Sequence, residues 1–376
     1  MPKPKLLTAR RKLRFVALLL LLFILVTTLL SLRLDTAADG DAAGGDSYLH
    51  SRAVAADDAA LAFIPRSVVD TWSRRQYLLV LGVPFHGTKE GRRRNLQRST
   101  CWRFPGVATR ANDFTGEMLV LYVVGRHPAH GYNYSAALQE EAALWNDVVA
   151  LPMKEGRATM NKTDGRYGFW GIEADIGLSR KVYMWFHFAL RTFPTASYLA
   201  KGDDDMFLRV PLLVAFLRLL PRRGIYMGAH IGFASFGKKK LPGLAFMVGC
   251  FYTLSRDVAE ALVSYEPLRR LAYLPYTKER EEEFIFLRFE AEDFMVGWVL
   301  LQAVKYKPLI HVKVLPCHFH DVRNDTGHSQ VVPTSMCVHH VQGDDYAALM
   351  ARFGNGTSPP ARIRRAPGDT IYPLCD

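Results

Sequence analysis

Only five of the 376 residues are cysteine, and no two of them form a C-x-x-C pair or stand at zinc-ligand spacing. That excludes a dithiol redox motif and a zinc scaffold, and leaves Cys101, Cys250, Cys317, Cys337 and Cys375 as structural residues, either bridged or buried as thiols. No internal repeat or low-complexity tract interrupts the region from residue 76 to about 315. The first fourteen residues contain no acid, and the next eighteen contain no charge, proline or glycine. Wholesale disorder is excluded in turn by what is abundant. Apolar side chains make up 49% of the sequence, and the length suffices for about two domains of ~150 residues with a real core.

The chain carries 48 Lys and Arg against 36 Asp and Glu, a surplus of +12 that on its face invites nucleic acid or an anionic surface. Six of those basic residues lie within positions 1–14, which leaves 42 against 36 in the remainder. The stretch Phe15 to Leu32, FVALLLLLFILVTTLLSL, covers about 27 Å as a helix, enough to cross a thin bilayer of the early secretory pathway. Its basic flank puts residues 1–14 in the cytosol and everything after Arg33 in the lumen. A cleaved signal peptide is the competing reading, though its apolar region is usually shorter than eighteen residues. A luminal chain is not a nucleic-acid partner. It is one in which the sequons at Asn133, Asn161, Asn324 and Asn355 can be glycosylated.

Residues 33–72 are expected to form a stem, because Asp35 to Ala60 is rich in Ala, Asp and Gly and too poor in large apolar groups to repay the entropy of ordering. The catalytic domain is expected over 73–376. Apolar runs at Gln76–Phe85, Glu117–Val124, Val148–Leu151 and Ala196–Ala200 read as strands. Gly91–Trp102, Ala136–Asn146, Arg180–Thr192 and the stretch after Pro211 read as helices. Val182, Trp185, Phe186 and Ala189 share one helical face and read as core. Strands alternating with helices imply an α/β fold, a mostly parallel central sheet flanked by helices.

Chemistry concentrates at a few points. Asp203, Asp204 and Asp205 follow an expected strand, where open α/β sheets bind ligands. Alternation along the backbone puts Asp203 and Asp205 on one side and Asp204 on the other. Two carboxylates facing one way make a hard-oxygen site for Mn²⁺ or Mg²⁺ with a substrate diphosphate, while the plain alternative is a solvated acidic turn. Glu292 and Asp293 stand at the start of an apolar helix. One of them could take a proton from a hydroxyl nucleophile, and Glu292 also reads as a charge favoured by the helix dipole.

His339, with His340 beside it, and the alternating pair His318 and His320 are the late imidazoles that could complete a metal site. Arg92, Arg93, Arg94 and Arg98 follow the first strand and Lys201 abuts the triplet, where cations would meet a leaving diphosphate. Runs such as Arg222–Arg223, Lys238–Lys240 and Arg362–Arg365 read as solvated surface. A phosphorylated acceptor would give some of them a partner.

Residues 76 to 350 resemble the inverting β1,3-glycosyltransferase superfamily, the galactosyltransferase and Fringe-like Golgi enzymes, and in texture the trypanosomatid phosphoglycan β1,3-galactosyltransferases. The motifs that carry the resemblance are RRNLQRSTCW (Arg93 to Trp102), MLVLYVVG (Met118 to Gly125), KVYMWFHFALRTFPTASYLAKGDDD (Lys181 to Asp205), PGLAFMVGCFYTLSRDVAEAL (Pro242 to Leu262), AEDFMVG (Ala291 to Gly297) and CVHH from Cys337. Cys101 interrupts the first of them and Phe294 replaces a usual Val. The resemblance implies a GT-A-like fold, Mn²⁺ held by Asp205 with Asp203 and His339, and Asp293 as base. It also implies Asp204, Arg98 and Lys201 around a UDP-Gal or UDP-GlcNAc donor, a glycan acceptor, and a type II Golgi membrane protein. A metal-dependent phosphohydrolase and a non-catalytic surface glycoprotein are the alternatives.

Overall fold

The computed structural model describes residues 59–86, 91–160, 168–232, 235–236, 239–240, 245–323, 330–355 and 357–375. The expected cytosolic tail, the apolar stretch Phe15 to Leu32 and most of the expected stem lie outside them. Among the described residues no helix is long and apolar enough to cross a membrane. The described residues include part of the expected stem. Ala60 and Ile64 are buried ahead of helix α1 (Arg66–Ser73), whose Trp72 packs edge-on against Phe114 at 5.7 Å. These few apolar groups at helical spacing suffice because they meet a core already built by the rest of the chain.

The apolar runs become strands β1 (Leu79–Pro84), β2 (Val107–Ala108), β3 (Met118–Arg126), β4 (Val148–Lys154) and β5 (Tyr198–Gly202). Helices α2 (Arg92–Ser99), α3 (Ala136–Trp145) and α4 (Ile172–Thr192) lie between them. Helix α4 begins eight residues before the expected Arg180. Its first turn carries Glu173 and Asp175, and the Asp175 carboxylate accepts the N–H groups of Trp170 and Gly171 at 3.2 Å, which fixes the helix start.

Next come β6 (Phe207–Leu208), α5 (Val210–Leu219), β7 (Ile225–Gly232), the two-residue strands β8 (Ser235–Phe236) and β9 (Lys239–Lys240), and β10 (Ala245–Ser255). Helices α6 (Arg256–Val263), α7 (Glu266–Tyr273), α8 (Glu281–Phe286) and α9 (Glu292–Trp298) follow. The chain closes with β11 (Ile310–Val314), β12 (Phe319–Asp321), β13 (Cys337–His339), α10 (Asp344–Phe353), β14 (Ile363–Ala366) and β15 (Thr370–Pro373).

The main sheet runs in the order β14-β15-β11-β7-β10-β5-β1-β3-β2, with β4 also paired to β3. Six of its nine pairings are parallel, so the expected mostly parallel α/β sheet is present. Strand β10 runs antiparallel to both β7 and β5, an arrangement that needs no helical crossover between β7 and β10.

Both faces are covered. Val80, Leu119, Leu121 and Val123 pack with Val182, Trp185, Phe186 and Ala189 of α4, while Leu79, Leu81, Met118 and Val120 pack with Leu213, Phe216 and Leu217 of α5. Gly82 lets α4 approach, since a Cβ there would lie 2.2 Å from the Trp185 ring, whose Nε1 donates to the Ala200 carbonyl at 3.0 Å. A second, three-stranded sheet in the order β12-β13-β6 sits beyond the end of β5.

Cys317 and Cys375 are bridged, with Cα atoms 6.1 Å apart, and Cys101, Cys250 and Cys337 are buried thiols. Of the sequons, Asn133 and Asn355 are exposed, whereas Asn161 and Asn324 lie outside the described residues.

Candidate active site

Strand β5 delivers Lys201 and then the acidic triplet, which lies in the turn between β5 and β6 rather than in the strand itself. The expected alternation holds across that turn. Asp203 Oδ2 and Asp205 Oδ1 lie 3.4 and 3.2 Å from the same atom, His339 Nε2, while Asp204 turns to Arg93 at 3.0 Å. The small sheet makes this possible, because β6 follows the triplet directly and pairs Phe207 with Val338 of β13.

His340 adopts a left-handed backbone (φ 58°), stacks on His339 with ring centroids 3.8 Å apart and places Nδ1 2.8 Å from Asp321 Oδ1. Asp205, His339 and His340 offer ligand atoms all within 4.8 Å of one another. The other expected pair sits elsewhere. His318 bonds the Thr334 and Leu374 carbonyls, and His320 meets Ser335 Oγ at 2.7 Å.

Helix α9 supplies the remaining carboxylates. Glu292 is buried, with Oε1 2.6 Å from Lys201 Nζ and Oε2 accepting the Tyr252 hydroxyl at 2.8 Å. Both of its oxygens are therefore engaged, and it is more than a charge favoured by the helix dipole. Asp293 is less buried, and each oxygen accepts one backbone N–H, from Gly249 at 3.0 Å and from Phe294 at 2.8 Å. A carboxylate oxygen accepts two bonds, so Asp293 keeps acceptor capacity for a substrate hydroxyl. Gly249 is needed at this crowded point, since a Cβ there would stand 2.5 Å from Glu292 Oε1.

Lys201 reaches the cleft wall, but its ammonium is taken up by protein acceptors. Its ammonium donates to Asp203 Oδ1, Glu292 Oε1 and the Gly249 carbonyl, each at 2.6 Å, and is almost wholly buried. Arg98 departs further from expectation. Its guanidinium is held by Asp147 at 2.7 and 2.8 Å and by Glu141 at 2.7 Å, away from the triplet. It lines a separate cavity of about 1240 Å³ that contains none of the triplet, Glu292, Asp293 or His339. Those residues, with Lys201, Arg93 and His340, instead line one cleft of about 230 Å³. Also on its walls, and unsuspected from the sequence, are His86, Phe169, Trp170, Asp175 and Glu290.

The electrostatics follow from burial and neighbours. Burial opposes the charge of His339, but its bonds to Asp203 and Asp205 outweigh burial and raise its pKa well above the usual imidazole value. Burial would raise Asp203 and Asp205 too, yet Lys201 and His339 for the first and His339 for the second hold both below the ordinary carboxylate value. Glu292 goes the other way. Burial lifts it to about 7 despite Lys201, and burial likewise raises Asp293. A carboxylate whose pKa is raised and which keeps spare acceptor capacity, as Asp293 does, is a better proton acceptor than a free one.

No family model matches this chain, and no curated protein matches it. Among solved structures it is similar to a glycosyltransferase involved in the glycosylation of the major capsid of PBCV-1, at 11% identity and a TM-score of 0.33 over 73% of this chain and 98% of that chain. At that identity and score the likeness carries no inference about donor, linkage or mechanism.

Proposed function

We propose that this chain is a metal-dependent inverting glycosyltransferase of GT-A-like architecture. In this reading it moves galactose or N-acetylglucosamine from a UDP-sugar to a glycan hydroxyl, in β1,3 linkage, as a type II protein of the Golgi membrane. The observation that supports it most is the convergence, in one cleft beyond the carboxyl end of β5, of an aligned acidic pair with an imidazole and a separate carboxylate that can still accept a bond.

Two carboxylates and a nitrogen at one point form a donor set suited to Mn²⁺ or Mg²⁺, and Asp203, Asp205 and His339 are the residues that would hold the ion, with His340 adjacent. Such an ion would offset the negative charge of the leaving diphosphate. Arg93, 3.0 Å from Asp204, is placed to add a cation on the same wall. Lys201 acts through others, fixing Asp203 and Glu292 and so the spacing between the triplet and α9. Asp293 removes the acceptor proton, and a single displacement converts an α-linked donor sugar into a β-linked product.

The test is calorimetry of UDP with and without Mn²⁺, followed by transfer assays with UDP-galactose and UDP-N-acetylglucosamine. UDP binding that requires the ion and is lost in Asp205→Asn is expected, together with a β-linked product. Phosphate release without sugar transfer would instead indicate a phosphohydrolase, and absence of UDP binding would indicate a protein with no such activity.

A further inference from the structure

Two features of the cleft have no part in the roles described above. One is aromatic. Phe169 is 54% exposed, and Trp170 lies next to it on the same wall. Trp170 is held in place: its N–H donates to Asp175 Oδ1 at 3.2 Å, its carbonyl accepts from Thr159 at 2.8 Å and Met160 at 3.1 Å, and its ring meets the His86 ring edge-on at 5.7 Å. The other is Glu290, three residues before Asp293. Its Oε2 is buried with no hydrogen-bond partner among the described residues, and its Oε1 is 3.7 Å from Arg288 Nη1. An orphaned carboxylate oxygen costs free energy until a donor reaches it.

We infer that the acceptor enters this cleft as a neutral pyranose, laid against Trp170 and Phe169 and donating a hydroxyl to Glu290, which presents a neighbouring hydroxyl to Asp293. A pyranose has the matching chemistry, a C–H face for an aromatic ring and hydroxyls at its rim. Charge selects the neutral form. The lining residues of segments 168–178 and 290–293 include four carboxylates, Asp175, Glu290, Glu292 and Asp293, and no Lys or Arg. A phosphate on the reacting ring would meet like charge there. Of the cations lining the cleft, Lys201 is committed to Asp203 and Glu292, and Arg93 stands on the triplet wall beside Asp204 rather than on these segments. A phosphorylated glycan is therefore accepted only where its phosphate sits away from the reacting sugar.

This inference rests on the glycosyltransferase reading, so its test separates the two. The full-length chain in detergent, with Mn²⁺ and each UDP-sugar in turn, is offered a panel of methyl pyranosides and the same sugars phosphorylated on the ring that reacts. Transfer to at least one neutral pyranoside is expected, with kcat/KM about tenfold or more above its phosphorylated counterpart, the scale of one lost hydrogen bond to a charged group. Phe169→Ala, at an exposed position that leaves the core intact, and Trp170→Leu should raise the acceptor KM several-fold while UDP affinity by calorimetry moves less than twofold. Preference for the phosphorylated sugars, an acceptor KM unchanged in both variants, or UDP-sugar consumption with no transfer to any pyranoside would each overturn the inference. A wild-type chain that does not bind UDP would overturn the underlying reading instead.

Discussion

Two buried charge clusters lie on either side of the first strand, and they are built on opposite principles. In one, Arg94 and Arg98 of α2 face Glu141 and Asp147. Arg94 grips Glu141 with two bonds at 2.6 and 2.5 Å, and Arg98 grips Asp147 with two more and reaches Glu141 with a third. Two positive charges meet two negative ones. In the other, Lys201 and His339 are surrounded by Asp203, Asp205, Glu292 and Asp293, so carboxylates outnumber cations. A balanced buried cluster needs no partner and braces α2, α3 and β4 against one another. A cluster with excess negative charge opening on a cleft is stabilised by an incoming cation or proton, which is what the proposed function requires of it.

The largest expected effect is in the unbalanced cluster. Asp293→Asn keeps the bonds to Gly249 or Phe294 in part but cannot take a proton, so transfer should fall by roughly 100-fold or more while UDP affinity is retained. Glu292→Gln should cost less in chemistry, because both Glu292 oxygens are already bonded to Lys201 and Tyr252. Steady-state kinetics of the pair would break the assignment if Glu292→Gln proved the more damaging to kcat.

The balanced cluster should answer in stability. Arg98→Met strips Asp147 of both its bonds and leaves a buried carboxylate unpaired, which costs about 3–5 kcal/mol in denaturant unfolding. A loss under 1 kcal/mol would mean that the network is a surface feature in disguise.

Acid and base titration should separate one glutamate of each cluster, Glu141 and Glu292, by sign. Burial would raise Glu141, but Arg94 and Arg98 hold it below its ordinary 4.5, so its contribution to stability is present above that value and is lost as the pH falls through the lowered pKa. Glu292 is raised from 4.5 to about 7, so between those values the folded state holds a proton that the unfolded state has released. Its contribution is full below 4.5 and disappears as the pH rises through about 7. Unfolding free energies measured across pH without divalent ions should lose part of their acid-side slope in Glu141→Gln, Asp203 and Asp205 supplying the rest, and part of their slope between 4.5 and about 7 in Glu292→Gln. The same slope change in both variants would erase the distinction.

The sheet was legible because its strands are buried on both faces and read as unbroken apolar runs, as at Leu79–Pro84 and Met118–Arg126. The triplet, Asp293 and His339 stood out in the sequence because carboxylates after a strand, at a helix start and beside a late imidazole are unusual, and the fold brings them to one cleft. Arg98 was misplaced because spacing says nothing of partners, and Glu141 and Asp147 lie more than forty residues downstream. The role of Lys201 was hidden for the same reason, since Glu292 reaches it from 91 residues away. Trp170, Phe169 and Glu290 gave no signal beyond the aromatic pair itself, because only the folded cleft puts them beside Asp293.

Arg93 crosses from one cluster to the other and gives the smallest expected effect. It belongs to the same basic helix as Arg94 and Arg98, but its Nη1 lies 3.0 Å from Asp204, the triplet residue that faces away from His339. Its side chain is 19% exposed and that of Asp204 17%, so the pair is partly solvated and either member can exchange partners at modest cost. A diphosphate arriving at Asp203 and Asp205 would place negative charge within reach of this guanidinium. Arg93→Met should therefore weaken UDP binding by about 3- to 10-fold, a change of ~1 kcal/mol, with little effect on unfolding. The reverse pattern, lower stability with unchanged UDP affinity by calorimetry, would return Arg93 to the structural cluster and leave the donor side of the cleft without an arginine.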